Sequence, residues 1–100
     1  MRIVCLCGST KFKEEFVAAN KEESLKGNIV LTVCSFTHAD KEKLSDEDKN
    51  FLDKLHLRKI DVSDEVIILN VGGYIGHSTG IEFAYARYHS KPVRFLEEEK

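Results

Sequence analysis

Residues 2–19 read Arg2-Ile3-Val4-Cys5-Leu6-Cys7-Gly8-Ser9-Thr10-Lys11-Phe12-Lys13-Glu14-Glu15-Phe16-Val17-Ala18-Ala19, and the spacing of their apolar side chains changes halfway along. From Arg2 to Cys7 the run is short and almost continuously apolar, the pattern of a strand buried on both faces. Gly8-Ser9-Thr10 breaks it. Beyond Lys11, Phe12, Phe16 and Ala19 fall at i, i+4 and i+7 with Lys and Glu between them, which predicts an amphipathic helix. Ser9 or Thr10 is expected to cap this helix, and Gly27 to end it.

The same alternation continues along the chain. Asn28–Cys34 reads as a second buried strand, followed by a polar connection, Ser35–Leu44, that carries His38 and Asp40. Ser45-Asp46-Glu47-Asp48 looks like a helix start, with acids facing the positive end of the dipole. Phe51, Leu52 and Leu55 are its expected inward face, and Arg58 and Lys59 suit its last turn. Asp64–Asn70 is a third strand, with Asp61 and Asp64 near its start assigned to structure. A glycine-rich loop, Val71–His77, leads to a helix over Ser78–His89 whose expected inward face is Ile81, Ala84, Tyr85 and Tyr88. Pro92–Leu96 is a fourth strand and Glu97–Lys100 a solvated tail. The order β-α-β-α-β-α-β predicts an α/β fold: a flavodoxin-like or Rossmann-like three-layer sandwich whose small parallel sheet has spatial order 2-1-3-4. Its crevice is expected at the carboxyl ends of the first and third strands, where the winding reverses.

Composition narrows the function. One hundred residues suit a single domain. With 15 Lys+Arg against 17 Asp+Glu the net charge is −2, and no basic cluster suggests a nucleic-acid polymer as partner. The longest apolar stretches, Ile3–Cys7 and Val66–Leu69, fall far short of the ~20 residues of a membrane span. Met1-Arg2 runs straight into a strand-like segment, so no signal peptide and a cytoplasmic location are expected. Three cysteines, an odd number, do not make a disulfide framework. Cys5 and Cys7 share one strand face, but a metal site needs further ligands from Cys34 and four scattered histidines. All three thiols are therefore expected in the core, with no metal. Two sheet edges and only three helices leave apolar surface over, which predicts a homodimer or larger homo-oligomer.

Both loops at the expected crevice, Gly8–Lys11 and Asn70–Ser78, open onto helix N-termini, where free N–H groups and the dipole favour an anion. Neither loop carries the P-loop or the dinucleotide glycine pattern, and no nucleophile elbow or zincin motif occurs. Glu82 is the principal candidate. Thr79-Gly80-Ile81-Glu82 fits a capping box, in which the glutamate merely satisfies backbone donors. The alternative is a carboxylate held ionised by the helix N-terminus and able to act as nucleophile or base. His56 and His77 are candidate proton donors, although a helical or loop histidine is commonly only structural or exposed. Ser9, Thr10, Ser78 and Thr79 can cap helices or bind phosphate and sugar hydroxyls with the same geometry. Lys11 can add a point charge, and Tyr74 can stack on a base or anchor its loop.

Several of these segments carry a resemblance. Cys7-Gly8-Ser9-Thr10-Lys11 is similar to the Cys-Gly-Ser-x-Arg phosphate and sugar loop of the nucleoside 2-deoxyribosyltransferase-like superfamily, which includes the 2′-deoxynucleoside 5′-phosphate N-hydrolases. Ser63–Asn70, Gly76-His-Ser-Thr-Gly80-x-Glu82-x-Ala84-Tyr-Ala86 and Lys91-Pro92-Val93 resemble that group's second half in the same order. The resemblance implies a single domain over residues 1–100, a small flavodoxin-like sheet and a homodimer or larger assembly. It also implies Glu82 as the nucleophile and Gly8–Lys11 as a substrate loop. This chain departs from the pattern at four places: His56 stands for the family's aspartate, Cys5 for its first-strand tyrosine, Gly76 for the transferases' acid and Lys11 for arginine.

The expected activity is therefore cleavage or transfer of an N-glycosidic bond in a nucleoside or nucleoside 5′-monophosphate, without cofactor. Glu82 attacks, His56 or His77 protonates the leaving base, and Gly8, Ser9, Thr10, Lys11, His77, Ser78 and Thr79 hold the substrate. Two rival readings are a nucleotide-binding module without turnover and an interaction protein whose loops only cap helices.

Overall fold

The computed structural model describes residues 2–36, 39–41 and 43–97. Four parallel strands, β1 (Ile3–Cys7), β2 (Ile29–Leu31), β3 (Glu65–Ile68) and β4 (Val93–Phe95), alternate with three helices, α1 (Lys13–Leu25), α2 (Asp46–Val62) and α3 (His77–Tyr88). The sheet order is β2-β1-β3-β4. Register is set by pairs such as Cys5 with Leu31 and Val66, and Ile68 with Cys7 and Phe95.

Side-chain alternation along β1 and β3 divides the core into two layers. Val4, Leu6, Ile67 and Leu69 pack with Phe16 and Ala19 of α1. Cys5, Cys7, Val66 and Ile68 face the other way, onto Ile60 of α2 and Ala86 of α3. The result is a three-layer sandwich with one helix on one face and two on the other. Burying a side chain such as Phe16 or Ile60 contributes roughly 1.5–3 kcal/mol, and both are at most 1% exposed. No helix among the described residues is long and apolar enough to cross a membrane.

Helix α1 shows why one expectation held and another failed. It ends in a Schellman motif: Asn28 N donates to Glu23 O at 3.1 Å and Gly27 N to Ser24 O at 2.9 Å, with Gly27 at φ +87°. Its start is different. The cap residue is Phe12, with no side-chain hydrogen bond. Ser9 instead closes the preceding turn, accepting from Lys11 N on its hydroxyl and from Phe12 N on its carbonyl. Gly8 suits this close approach, because a Cβ would lie 3.0 Å from the Leu69 Cβ.

The strands are shorter than their apolar runs, since β2 ends at Leu31 and β4 spans only Val93–Phe95. Cys34, expected in the core, lies beyond β2 and is exposed. The inward faces of α2 and α3 also differ from the sequence expectation. His56 and Ile60 are buried on α2, and Thr79 and Ala86 on α3. Phe51, Leu55, Ile81 and Tyr88 point outward. Tyr85 packs on the core as expected and Leu52 lines the cavity, but the polar His56 and Thr79 share the inward stripes, so hydrophobicity alone finds them only in part. Asp61 and Asp64 are structural, as expected. Asp64 Oδ2 accepts from Ile3 N at 2.8 Å, and Asp61 Oδ1 accepts from the Tyr85 hydroxyl at 2.6 Å. Lys91 Nζ then donates to the Asp61 and Ser63 carbonyls, closing the C-terminal end of α2.

His38 and the last three residues of the charged tail lie outside the described residues. Glu97 is exposed as expected but is also tied down: its Oε2 accepts from Gly72 N at 2.9 Å, and its backbone exchanges hydrogen bonds with the Asn70 side chain. It thereby holds the loop before α3, where Gly72 (φ +63°) and Gly73 (φ +80°) adopt a left-handed turn that favours glycine.

Candidate functional site

A cavity of about 300 Å³ opens at the carboxyl end of the sheet. Gly8, Ser9 and Thr10 after β1 form part of its wall, as do His77, Ser78, Thr79 and Glu82 on α3 and His56 on α2. The structure thus brings eight of the nine sequence candidates to one place. Lys11 is the exception, because its ammonium lies 3.6 Å from the centre of the Tyr74 ring rather than in the cavity wall. Tyr74 also packs edge-on against Phe12 at 5.9 Å, anchoring the glycine loop while lining the cavity.

Helix α3 begins one residue earlier than expected, with Gly76 as the cap and no side-chain capping bond. Thr79 is therefore inside the helix and buried, so the capping box does not form. Glu82 sits in the second turn, in the wall of the cavity. Burial raises its pKa to about 7, outweighing the attraction of His56. The helix N-terminus therefore does not hold it ionised. Near neutral pH it exists in both forms, which suits proton transfer as well as attack.

Behind Glu82 lies a compact polar cluster. His56 Nε2 is 3.1 Å from the Leu6 carbonyl oxygen, 3.4 Å from Cys7 Sγ and 3.6 Å from Cys5 Sγ. Strand alternation presents both sulfurs to the same face, and α2 lowers the imidazole onto them. The hydrogen bond from Cys7 and the interactions with His56 lower the Cys5 pKa despite burial. Cys7 moves the opposite way, its pKa raised by that same bond and by burial. Burial opposes the His56 charge, but the Cys5 hydrogen bond and the Glu82 carboxylate outweigh it, leaving the imidazole pKa raised.

Of the α2 wall, the sequence pointed to His56 and Leu52 but not to Lys49, Asp53 or Lys59. Lys49, Asp53, His56 and Lys59 all line the cavity with Leu52, and their spacing by three or four residues marks one helix face. That stripe of titratable residues was the available signal. Lys49 and Asp53 form an ion pair at 3.0 Å, and Lys59 Nζ donates to the Thr32 carbonyl at 2.6 Å, tying α2 to the end of β2. Cys34 and Ser35 complete the cavity beyond β2. No family model matches this sequence, and no curated protein matches it.

Proposed function

We propose that this protein cleaves or transfers the N-glycosidic bond of a nucleoside or nucleoside 5′-monophosphate, with Glu82 as nucleophile. The observation that carries the reading is a half-buried carboxyl in the wall of a cavity that also presents two helix-start loops. A volume of about 300 Å³ is at the small end of ligand pockets, the scale of one nucleotide. The resemblance described above supports the same assignment, because its nucleophilic glutamate matches Glu82.

In the first step a Glu82 oxygen bonds to the anomeric carbon through an oxocarbenium-like state as the carbon–nitrogen bond breaks. The electron pair leaves with the base, and His77 supplies the proton that neutralises it. Water, or a second base, then displaces the sugar from Glu82. His56 is a positioning residue in this account, because its Nε2 is engaged by the Leu6 carbonyl and the two sulfurs. Ser9, Thr10, Ser78 and the free N–H groups of the first turn of α3 hold sugar and phosphate oxygens. His56 and Cys5, two positions where this chain departs from the resembling family, contact each other at 3.6 Å.

A second reading, nucleotide binding without turnover, draws on the raised pKa of Glu82, which leaves part of the population protonated and non-nucleophilic at neutral pH. A panel of ribo- and deoxyribonucleosides and their 5′-monophosphates separates the two. The enzyme reading expects free base from at least one compound. Thermal stabilisation by a compound that releases no base supports the binding module instead, and neither effect from any compound removes both.

A further inference from the structure

We propose that Cys5, Cys7 and His56 form a binding site for a thiophilic divalent cation, zinc above all. Their donor atoms Sγ, Sγ and Nε2 lie within 4.8 Å of one another, and all three residues are buried. Tetrahedral zinc, with Zn–S near 2.3 Å and Zn–N near 2.05 Å, requires a sulfur-to-nitrogen separation of about 3.6 Å. The two separations here are 3.6 and 3.4 Å. Both sulfur-to-nitrogen separations therefore suit a common metal before any metal binds, and the two sulfurs lie within 4.8 Å of each other.

The chain supplies this arrangement from rigid elements. Cys5 and Cys7 are two residues apart in β1, the central strand that pairs with both β2 and β3. His56 is in the middle of α2. Two thiolates and an imidazole select zinc over magnesium or calcium, which prefer oxygen ligands. Glu82 lines the same cavity as His56. Of the three donors only His56 lines the cavity, and a set of three protein ligands leaves the fourth position of zinc to water or another donor. Binding requires that the proton on His56 Nε2 leave the Leu6 carbonyl and that the thiols ionise, so metal uptake releases protons.

The site is independent of the glycosidic reading, because metal uptake and base release are separate measurements. Chelator-treated, reduced full-length protein is titrated with Co²⁺ alone and then with Zn²⁺. The expected result is one equivalent of Co²⁺ with a thiolate-to-cobalt charge-transfer band and the intense visible bands of tetrahedral cobalt, all displaced by Zn²⁺. Cys5→Ser and Cys7→Ser each weaken binding by more than the about 100-fold that loss of an outer-shell partner costs. Cys34→Ser leaves it unchanged. Cobalt uptake without the sulfur band, or no uptake, overturns the site. Because that result is read on the unaltered protein, it decides the matter even if a serine variant fails to fold.

Discussion

Glu23 is only 3% exposed, yet its carboxylate collects hydrogen bonds from Lys26, Asn28 and Arg94. Arg94 also bonds Glu65 at 3.1 Å, so one residue of β4 links α1 to the start of β3. Burial pushes the Glu23 pKa up, but these partners outweigh it and hold the carboxyl below its usual 4.5. A depressed carboxyl pKa gives stability that is present above the unfolded value and lost as pH falls through the folded one. Glu23→Gln is thus expected to lower stability by about 1–3 kcal/mol at pH 7. In urea unfolding the gap from the unaltered protein should shrink below pH 4.5. A gap that stays constant with pH removes the charge from the explanation. Gly8 is the other sensitive residue. With a Cβ 3.0 Å from Leu69 Cβ and 3.4 Å from Phe16, Gly8→Ala overpacks the junction of β1 and β3. The expected loss is about 1–3 kcal/mol, measured by thermal denaturation, and an unchanged midpoint argues that the junction yields.

Among the elements, α2 has the best-defined start. The Ser45 hydroxyl accepts from Asp48 N at 3.0 Å, and Asp46, Glu47 and Asp48 occupy the first turn. Ser45→Ala should cost about 1 kcal/mol, with Ser45→Asp restoring it, both read from urea midpoints. That cap was legible because it depends on neighbours in sequence. The α1 face of Phe12, Phe16 and Ala19 was legible too, since α1 packs on a purely apolar layer. The inward faces of α2 and α3 were legible only in part. Their buried stripes contain His56 and Thr79, with Glu82 beside them at the cavity, so polar side chains interrupt the hydrophobic pattern at those positions. The contact of His56 with Cys5 and Cys7 spans about fifty positions of sequence and is created by the βαβ crossover. No local spacing encodes it. The false capping box failed for a related reason: Gly76 starts α3 early and leaves Thr79 and Glu82 free to turn inward.

At the scale of the whole molecule, both edge strands have three residues, and apolar side chains remain uncovered on the outer helices. Phe51 is 66% and Ile81 50% exposed. The homodimer expected from the sequence would cover such side chains with a second copy of the chain. Light scattering should then give about twice the chain mass of 11.4 kDa, and Phe51→Asp should return the single-chain value. A monomer at every concentration contradicts it. The sandwich brings two helix-start loops, the Glu82 carboxyl and a cavity to the same end of the sheet, and the glycosidic reading rests on their acting together. The most direct test compares free-base release by the unaltered protein and by Glu82→Ala on the best substrate of the nucleoside and nucleotide panel. The account predicts that release falls at least about 1,000-fold, as loss of a covalent nucleophile does, while thermal stabilisation by the same compound persists. Release that continues undiminished in Glu82→Ala contradicts it.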